Sequence, residues 1–298
     1  FFLNYIYREK FSDELREKVY IFPSQLYSMY STSSSFAGWT SEENAGKTAQ
    51  QKRYERIQGM LDPSVNIFEK EFLVFPLFNN EHWFLSIVCF PKLQHSVTFE
   101  GNEPVLTDFK RNVRRKDDAD YNPIPLKTSC ILTFDSVKSN FSRRSTAMVH
   151  IRHFLKTHWE KNYKDQFELG ELISCSVPSP LQSNNVDCGC FLLEFVERFF
   201  VSDPMKDFRL PLFKKKWFNS EDVRLSKRRE ITQVIRQKMQ ERDAAGDQAA
   251  LELPELHFYS EHLAIDIDIT ETCNNGNEQE ELNNNNNNNN DLNCLDNN

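Results

Sequence analysis

The sequence lacks any run of eighteen or more apolar residues, so no transmembrane helix and no membrane partner are expected. Glycine is scarce, at 8 of 298 residues, which argues against collagen-like or β-helical arrays. The apolar start, Phe1–Tyr5, lacks the charged lead and the small-residue cleavage site of a signal peptide. The chain also lacks an initiating Met, so we expect it to begin inside a longer protein.

The seven cysteines form no CxxC pair and no regular framework. Several, such as Cys89 and Cys130, lie in apolar runs, which predicts reduced, buried thiols in the nucleus or cytosol. Cys188 and Cys190 are too close together for zinc-finger spacing, and no other Cys or His cluster flanks them. Neither a metal site nor a cofactor is therefore predicted.

Charge is spread unevenly along the chain. The net charge is -8, but residues 240–298 carry -13 and the remainder carries +5. The tail also contains an unbroken asparagine run, 283–290, and cannot bury enough apolar surface to offset its chain entropy. We predict a globular domain over residues 1–242 and a disordered, acidic, Asn-rich tail over residues 243–298. The mildly basic domain suits an acidic protein partner.

Predicted strands on both sides of the helices, together with a hairpin, argue for an α+β fold. Two apolar strands, Phe72–Phe78 and Trp83–Phe90, flank the hairpin signal Asn79–Glu81. Further strands are predicted at Cys130–Phe134 and Leu172–Val177, and helices at Phe1–Lys18, Ser145–Lys161, Gly189–Phe200 and Ser226–Arg242.

Two polar segments, at about residues 32–52 and 94–127, are longer than ordinary connections, and we interpret them as inserted functional or disordered loops. The second carries a basic run, Lys110–Lys116, which fits a contact to an acidic partner, a nuclear-import signal or a solvated loop. The tail carries an apolar island, Leu263–Ile269, that could add to the edge of a partner's sheet. Nucleic-acid binding is not expected, because the chain is acidic overall and has no interleaved aromatic and basic stripe.

Cys188 lies where a polar loop gives way to an apolar helix. A helix start offers unpaired N–H groups and a positive partial charge, which favour a thiolate and can hold an oxyanion. Gly189 removes side-chain bulk beside the sulfur, so a substrate backbone can approach. A lone Cys is more often a packed, inert hydrophobe, and Cys190 is predicted to be one.

His82 and Asp135 each lie at the end of a predicted strand, where side chains are held rigidly at a sheet edge. Asp135 would fix the tautomer of His82, whose other ring nitrogen would face Cys188. Gln182 is a neutral donor six positions before Cys188, and such an oxyanion donor is worth on the order of 3 kcal/mol in the transition state. Taken singly, His82 could be an ordinary loop residue and Asp135 could cap a helix. The hypothesis that the four residues act as nucleophile, base, orienter and oxyanion donor depends on their order along the chain.

That order, with Asp-Cys-Gly at residues 187–189 and His-Trp at residues 82–83, resembles the sentrin/SUMO-specific proteases of the ubiquitin-like-protein protease family. The likeness covers about residues 1–239. Phe68–Phe72, Cys89–Pro91 and the long insertion before Asp135 are similar to the subgroup that edits poly-SUMO chains.

The resemblance implies a papain-like cysteine protease fold, with a central mixed sheet flanked by helices. It implies catalytic roles for His82, Asp135, Gln182 and Cys188, and substrate-binding roles for Trp83, Asp187 and Gly189. Trp83 matches an aromatic residue that covers a narrow tunnel for two glycines, whose other wall comes from a family segment preceding Phe1. A chain without that segment is expected to be weakly active.

The implied activity is cleavage after the C-terminal Gly-Gly of SUMO, on SUMO-conjugated proteins and poly-SUMO chains, by a nuclear and monomeric enzyme. Two alternatives remain open at this point. The chain could act on another diglycine-ended modifier, or it could be a SUMO-binding module that retains the fold without turnover.

Overall fold

The computed structural model describes residues 1–32, 46–100, 103–107, 126–138, 141–201, 218–244 and 291–293. The chain divides into two compact units, the first comprising Phe1–Ile231 and Asn290–Asn298 and the second Thr232–Asn289. Within the described ranges, no helix is both long and apolar enough to cross a membrane. The boundary at residue 242 between domain and tail stays a prediction.

A six-stranded mixed sheet forms the centre of the first unit, which also contains a separate three-stranded sheet. The strands are β1 (Val19–Ile21), β2 (Phe72–Asn79), β3 (His82–Cys89), β4 (Ser96–Glu100), β5 (Glu103–Thr107), β6 (Leu126–Lys127), β7 (Cys130–Phe134), β8 (Ile173–Ser176) and β9 (Asp291–Asn293). The helices are α1 (Phe2–Tyr5), α2 (Asp13–Lys18), α3 (Gln25–Ser31), α4 (Ala49–Ile57), α5 (Phe141–Asn162), α6 (Cys188–Val201), α7 (Ser220–Asp222) and α8 (Arg228–Ala244).

The large sheet has the order β1-β2-β3-β7-β8-β9. β3 runs antiparallel to both β2 and β7, whereas β1 on β2, β8 on β7 and β9 on β8 are parallel. Antiparallel pairs suit short turns and parallel pairs need crossovers, here made through helices. The predicted α+β architecture, a mixed sheet flanked by helices, is confirmed.

Alternation along the strands divides the core between the two faces of the sheet. One face sends Leu73, Phe75 and Phe84 into a cluster with residues of α3, α4 and α5. The other face packs on α6, where the Phe134 ring lies 5.7 Å from Phe195 and the Phe72 ring 6.0 Å from Phe199, centroid to centroid. The strongly apolar composition of α6 follows from its burial against this second face.

The hairpin of β2 and β3 forms as predicted, with a turn one residue shorter. Asn79 still pairs with His82, so the turn consists of Asn80 and Glu81, with φ of 50° and 59°. Two central residues with positive φ make the turn whose twist matches that of the strands. His82 is therefore the first residue of β3.

Several predicted helices have different limits. The predicted helix Phe1–Lys18 is wrong as a single element, because Ser12 caps α2 by accepting from the Leu15 N–H over 3.2 Å and ends the preceding turn of π-helix, Ile6–Lys10. α5 begins four residues earlier than predicted and α6 one residue earlier. The last helical segment begins at Ser220 rather than Ser226, since α7 and a π-helical turn lead into α8.

The two predicted insertions contain regular structure. Thr48 and Gln51 form a reciprocal capping box that starts α4, so the loop predicted to reach residue 52 ends earlier. Within the segment 94–127, β4 pairs antiparallel with β5 and β6, which corrects the interpretation of that segment as a loop. The basic run Lys110–Lys116, the island Leu263–Ile269 and the tail except residues 243–244 and 291–293 lie outside the described residues.

Candidate active site

His82 and Asp135 meet because of the register between β3 and β7. Leu85 pairs with Phe134, so in this antiparallel pair Asp135 lies opposite Phe84. His82 is two residues before Phe84 and therefore lies on the same face of the sheet. The Nε2 atom of His82 lies 2.7 Å from Oδ1 of Asp135. Both side chains are buried, and the Phe84 ring lies parallel to the imidazole at 6.2 Å.

Cys188 is the first residue of α6 and its side chain is buried, as the loop-to-helix transition predicts. The side chain of His82 and the backbone N–H groups of Trp83 and Gly189 interact with its thiol, and each of them lowers the pKa of Cys188. Since Nε2 of His82 faces Asp135, the nitrogen toward the sulfur is Nδ1. The structure thus brings His82, Asp135 and Cys188 together, with His82 hydrogen bonded to Asp135 and interacting with Cys188.

The electrostatics of these three residues favour an ion pair. Burial opposes the charged form of His82, but the hydrogen bonds to Asp135 and Cys188 outweigh it and raise the pKa of His82 to about 9. Burial likewise opposes the thiolate, yet the hydrogen bonds from His82 and the Trp83 N–H lower the pKa of Cys188 below the usual thiol value. An imidazolium facing a thiolate is the state that both shifts favour.

Asp135 is held from two further directions. Its Oδ1 also accepts the Val137 N–H over 3.0 Å. Its Oδ2 lies 3.5 Å from Nη1 of Arg144, a partly buried side chain of α5 that the sequence analysis did not include. Val137 and Arg144 thus hold the carboxylate in place from the backbone side and from the α5 side.

Gln182 is held against the end of β7. Its backbone N–H donates to the Ser136 carbonyl over 2.9 Å, and its Oε1 accepts from the Ser136 hydroxyl over 2.6 Å. Its Nε2 donates to the carbonyl of Asn184, a bond that uses one of the two amide hydrogens. The side chain is therefore oriented with its oxygen toward Ser136 and its NH₂ group toward the loop that leads to Cys188.

Trp83 lies beside the start of α6. A Cβ atom added to Gly189 would stand 3.8 Å from Cδ1 of Trp83, an ordinary contact distance. The Phe78 ring, across the hairpin, packs on Trp83 at 4.7 Å between centroids. The indole therefore packs on Phe78 and lies beside Gly189, and its role in covering the substrate stays a prediction.

Residues 1–237 match the model of the Ulp1 protease family, C-terminal catalytic domain. The chain belongs to the Ulp1 protease family. This match confirms the resemblance that the residues themselves indicated.

Individual relatives agree with this assignment. Sentrin-specific protease 7 of Rattus norvegicus is 28% identical over 263 residues, which cover 79% of this chain and 25% of the relative. Sentrin-specific protease 6 of Mus musculus is 34% identical over 115 residues, covering 38% and 10%. This Ulp1-family chain thus spans a quarter or less of the length of these two relatives.

A crystal structure of a de-sumoylating protease has the same fold. It superposes with a TM-score of 0.52 at 18% sequence identity, over 83% of this chain and 82% of that chain.

Asp187 is a buried part of the loop before Cys188 in this Ulp1-family site, and its substrate-binding role stays a prediction. Its carboxylate is only 2% exposed. One oxygen accepts from Nε and Nη2 of Arg228, the former over 2.8 Å, and the other accepts from Nδ2 of Asn184 over 2.7 Å. The carboxylate therefore links the loop before Cys188 to Arg228. The sequence alone does not connect Arg228 with Asp187, because the two residues lie 41 positions apart.

The thiols of the Ulp1-family domain follow the prediction in part. Cys89, Cys130, Cys188 and Cys190 are free and buried. Burial raises the pKa of Cys190, in contrast to Cys188 two positions before it. Cys175, in β8, is buried as well. Among the described residues, no group of three His, Cys, Asp or Glu side chains is placed to hold a metal ion.

Proposed function

We propose that this chain is a cysteine-type isopeptidase that removes SUMO by cleaving after its C-terminal Gly-Gly. The observation that carries the proposal is the placement of His82 between Asp135, to which it is hydrogen bonded, and Cys188, in a chain that belongs to the Ulp1 protease family. SUMO is the proposed modifier because the relatives are sentrin-specific proteases and the similar fold is that of a de-sumoylating protease.

In the first step, the Cys188 thiolate attacks the carbonyl carbon of the terminal glycine. His82 starts as imidazolium, paired with the thiolate, so the nucleophile needs no separate deprotonation. Asp135 accepts from Nε2 of His82 and keeps Nδ1 turned toward the sulfur.

The attack turns the carbonyl oxygen into an oxyanion. The backbone N–H of Cys188, at the start of α6, and Nε2 of Gln182 are the proposed donors. The hydroxyl of Ser136 holds Oε1 of Gln182, which fixes the amide so that its NH₂ group faces the loop. Because the donors are held before the reaction, they stabilise the charge without first reorganising.

Collapse of this intermediate breaks the C–N bond to the lysine side chain, and His82 gives its proton to the departing amine. The product is a thioester between Cys188 and the modifier. Neutral His82 then takes a proton from water as the water attacks the thioester carbon. The C–S bond breaks, the Cys188 thiolate leaves beside imidazolium His82, and the Gly-Gly carboxylic acid gives its proton to the solvent. One water molecule has been added across the C–N bond, and both side chains are back in their starting forms.

Trp83 is the proposed selector for glycine. Its indole borders Gly189 and is braced by Phe78, so it can cover an extended backbone approaching the sulfur. A flat ring over an extended chain leaves room for glycine and excludes larger side chains. This accounts for a diglycine end on the substrate without requiring a charged recognition group.

Poly-SUMO chains are the proposed preferred substrate, and the nucleus is the proposed location. The likeness of Phe68–Phe72 and Cys89–Pro91 to the subgroup that edits poly-SUMO chains supports the first statement. The basic run Lys110–Lys116 supports the second, because such runs are read by nuclear-import receptors. Fluorescence microscopy of the tagged chain, with the run intact and with its basic residues changed to glutamine, tests the location.

The test of the function uses a SUMO probe that carries a C-terminal vinyl group, beside cleavage of poly-SUMO and of SUMO-lysine conjugates. We expect the probe to label the wild-type chain and Cys190→Ala but not Cys188→Ala, since Cys190 is a matched buried thiol with a raised pKa. A parallel probe built on the cullin modifier separates the alternative modifier from SUMO. Labelling by neither probe would refute the protease assignment for this chain.

A further inference from the structure

We propose that Arg228 is a positioning residue for the reaction, holding the oxyanion side of the site through Asp187 and Asn184. The proposal rests on the function proposed above and assigns a task to α8, which contributes no reacting group.

The contact between Arg228 and the cysteine loop is geometrically specific. Nε of Arg228 donates to Oδ1 of Asp187 over 2.8 Å, and Nη2 donates both to that oxygen and, over 3.1 Å, to the Val186 carbonyl. A planar guanidinium can span a carboxylate and a carbonyl in this way, whereas the point charge of an ammonium cannot. The two residues it holds are those immediately before Cys188.

From Asp187 a chain of hydrogen bonds continues to the proposed oxyanion donor. Asn184 donates to the other oxygen of Asp187, and its own Oδ1 accepts the N–H of Asp187 over 3.1 Å. The Asn184 carbonyl in turn accepts from Nε2 of Gln182. The loop thus has one anchor at Ser136, on the β7 side, and a second at Arg228, on the α8 side.

The burial of Asp187 shows why the second anchor matters. A carboxylate that is 2% exposed is costly unless it is paired and hydrogen bonded. The Asp187 carbonyl also accepts the Phe191 N–H over 3.0 Å in the first turn of α6, so movement of Asp187 would move the helix start. Loss of Arg228 leaves this charge uncompensated and removes the constraint on the loop, and both effects reach Cys188 and Gln182.

The charged and titratable groups around Cys188 are His82 from β3, Asp187 from the loop, Arg228 from α8 and, one step along α6, Cys190. Arg228 offsets the negative charge of Asp187, which would otherwise disfavour the thiolate. Loss of Arg228 should therefore have two separate effects, a higher pKa of the Cys188 thiol and weaker stabilisation of the oxyanion.

The first measurement needs no modifier substrate. The rate of Cys188 alkylation by iodoacetamide is followed against pH for the wild-type chain, Arg228→Gln and Arg229→Gln, the last being a matched control at the exposed next residue. In Arg228→Gln we expect the midpoint to move to higher pH while the plateau rate, where the thiol is fully ionised, changes less than threefold, because alkylation forms no oxyanion. An unchanged midpoint would overturn the proposal.

The second measurement is turnover of SUMO ending in a diglycine fluorophore amide, at the pH of the alkylation plateau. We expect kcat of Arg228→Gln to fall roughly 10-fold to 100-fold with little change in KM, against no change for Arg229→Gln. Arg228→Lys, which keeps the charge but not the fork, should fall in between and serves if the glutamine variant does not fold.

The possible results separate the two proposals. If the wild-type chain turns over no diglycine substrate, the proposed function fails and the alkylation profile still decides the role of Arg228. If the wild type is active and Arg228→Gln equals Arg229→Gln in kcat, the positioning role is wrong. Equal losses in plateau alkylation and in kcat would also count against it, since they would reflect a general disturbance of the thiol.

Discussion

The pKa values of Cys188 and His82 shift in opposite directions, against the order that these groups have in water. A free thiol ordinarily titrates above a free imidazole, so a neutral pair would be expected in water. Here the pKa of His82 rises to about 9 and that of Cys188 falls, because each charged form is the hydrogen-bonding partner of the other and Asp135 adds a second acceptor. The site therefore stores the reactive thiolate without a separate proton-transfer step.

This ordering predicts the pH dependence of kcat/KM. The imidazolium is present below its pKa and is lost as pH rises through about 9, so the alkaline limb should lie near pH 9. The acid limb should lie below the ordinary thiol pKa, because the lowered value keeps the thiolate as pH falls. Initial rates on a diglycine fluorophore amide between pH 5 and pH 10 check both limbs.

The result that would contradict this ordering is an alkaline limb near 6.5, the ordinary imidazole value. His82→Ala provides the control, since iodoacetamide alkylation of its Cys188 should require a higher pH than in the wild-type chain. The imidazole is one of the partners that lower the thiol pKa, and its removal leaves the backbone N–H groups alone.

At the scale of elements, the hairpin of β2 and β3 carries an avoidable conformational cost. Glu81 has φ of 59°, in the left-handed region that costs a residue with a Cβ roughly 1–2 kcal/mol. Asn before Gly is the preferred pair for such a turn. We expect Glu81→Gly to raise the free energy of unfolding by about 0.5–1 kcal/mol, the gain in φ freedom being partly offset by the greater entropy of the unfolded chain.

Urea unfolding followed by circular dichroism measures this change, with Glu100→Gly as a comparison in a strand, where glycine should destabilise. A lower midpoint for Glu81→Gly than for the wild-type chain would show that the Glu81 side chain has a stabilising role that outweighs its backbone strain.

The same elements show which parts of the fold the sequence can predict. The hairpin, β7, β8 and α6 follow from local apolar patterns and turn residues, and the strand ends placed His82 and Asp135 correctly. The break at Ser12 and the small sheet of β4, β5 and β6 were missed, because a polar, short-stranded segment has no periodicity that distinguishes it from a loop.

Support residues were harder to predict than reacting residues. Cys188, His82 and Gln182 stand in motifs, whereas Arg228 and Arg144 become relevant only when α8 and α5 are placed against the loop and β7. An arginine on a polar helix has many possible partners in sequence. Only tertiary structure selects the buried carboxylate that it holds.

At the scale of the first unit, an ion cluster centred on the buried Lys227 joins three distant segments. Lys227 is 3% exposed, and its Nζ lies 2.9 Å from Glu194, 2.7 Å from Glu197 and 2.8 Å from Glu230. Lys10, near the N-terminus, shares two of these partners, Glu197 and Glu230. Burial opposes the charge on Lys227, but these carboxylates outweigh it and raise its pKa, while the pKa of Glu230 is lowered.

Removing the central cation should therefore destabilise the protein strongly. Lys227→Met retains the methylenes of the side chain, but three carboxylates lose a partner in a partly desolvated site. Breaking comparable buried pairs lowers the free energy of unfolding by about 3–5 kcal/mol. Urea unfolding at pH 7 measures it. Lys18→Met is the matched control, because Lys18 pairs with an exposed Glu14 and such surface pairs contribute less than about 1 kcal/mol.

The pH dependence of the loss distinguishes charge from packing. Because the pKa of Glu230 is lowered in the fold, the stabilisation from its pairing is present above the ordinary carboxyl pKa and is lost as pH falls through the lowered value. The gap between wild-type protein and Lys227→Met should consequently narrow on acidification. A gap that stays constant down to pH 3, or equal losses in Lys227→Met and Lys18→Met, would mean that the cluster does not hold the N-terminal segment, α6 and the start of α8 together by charge.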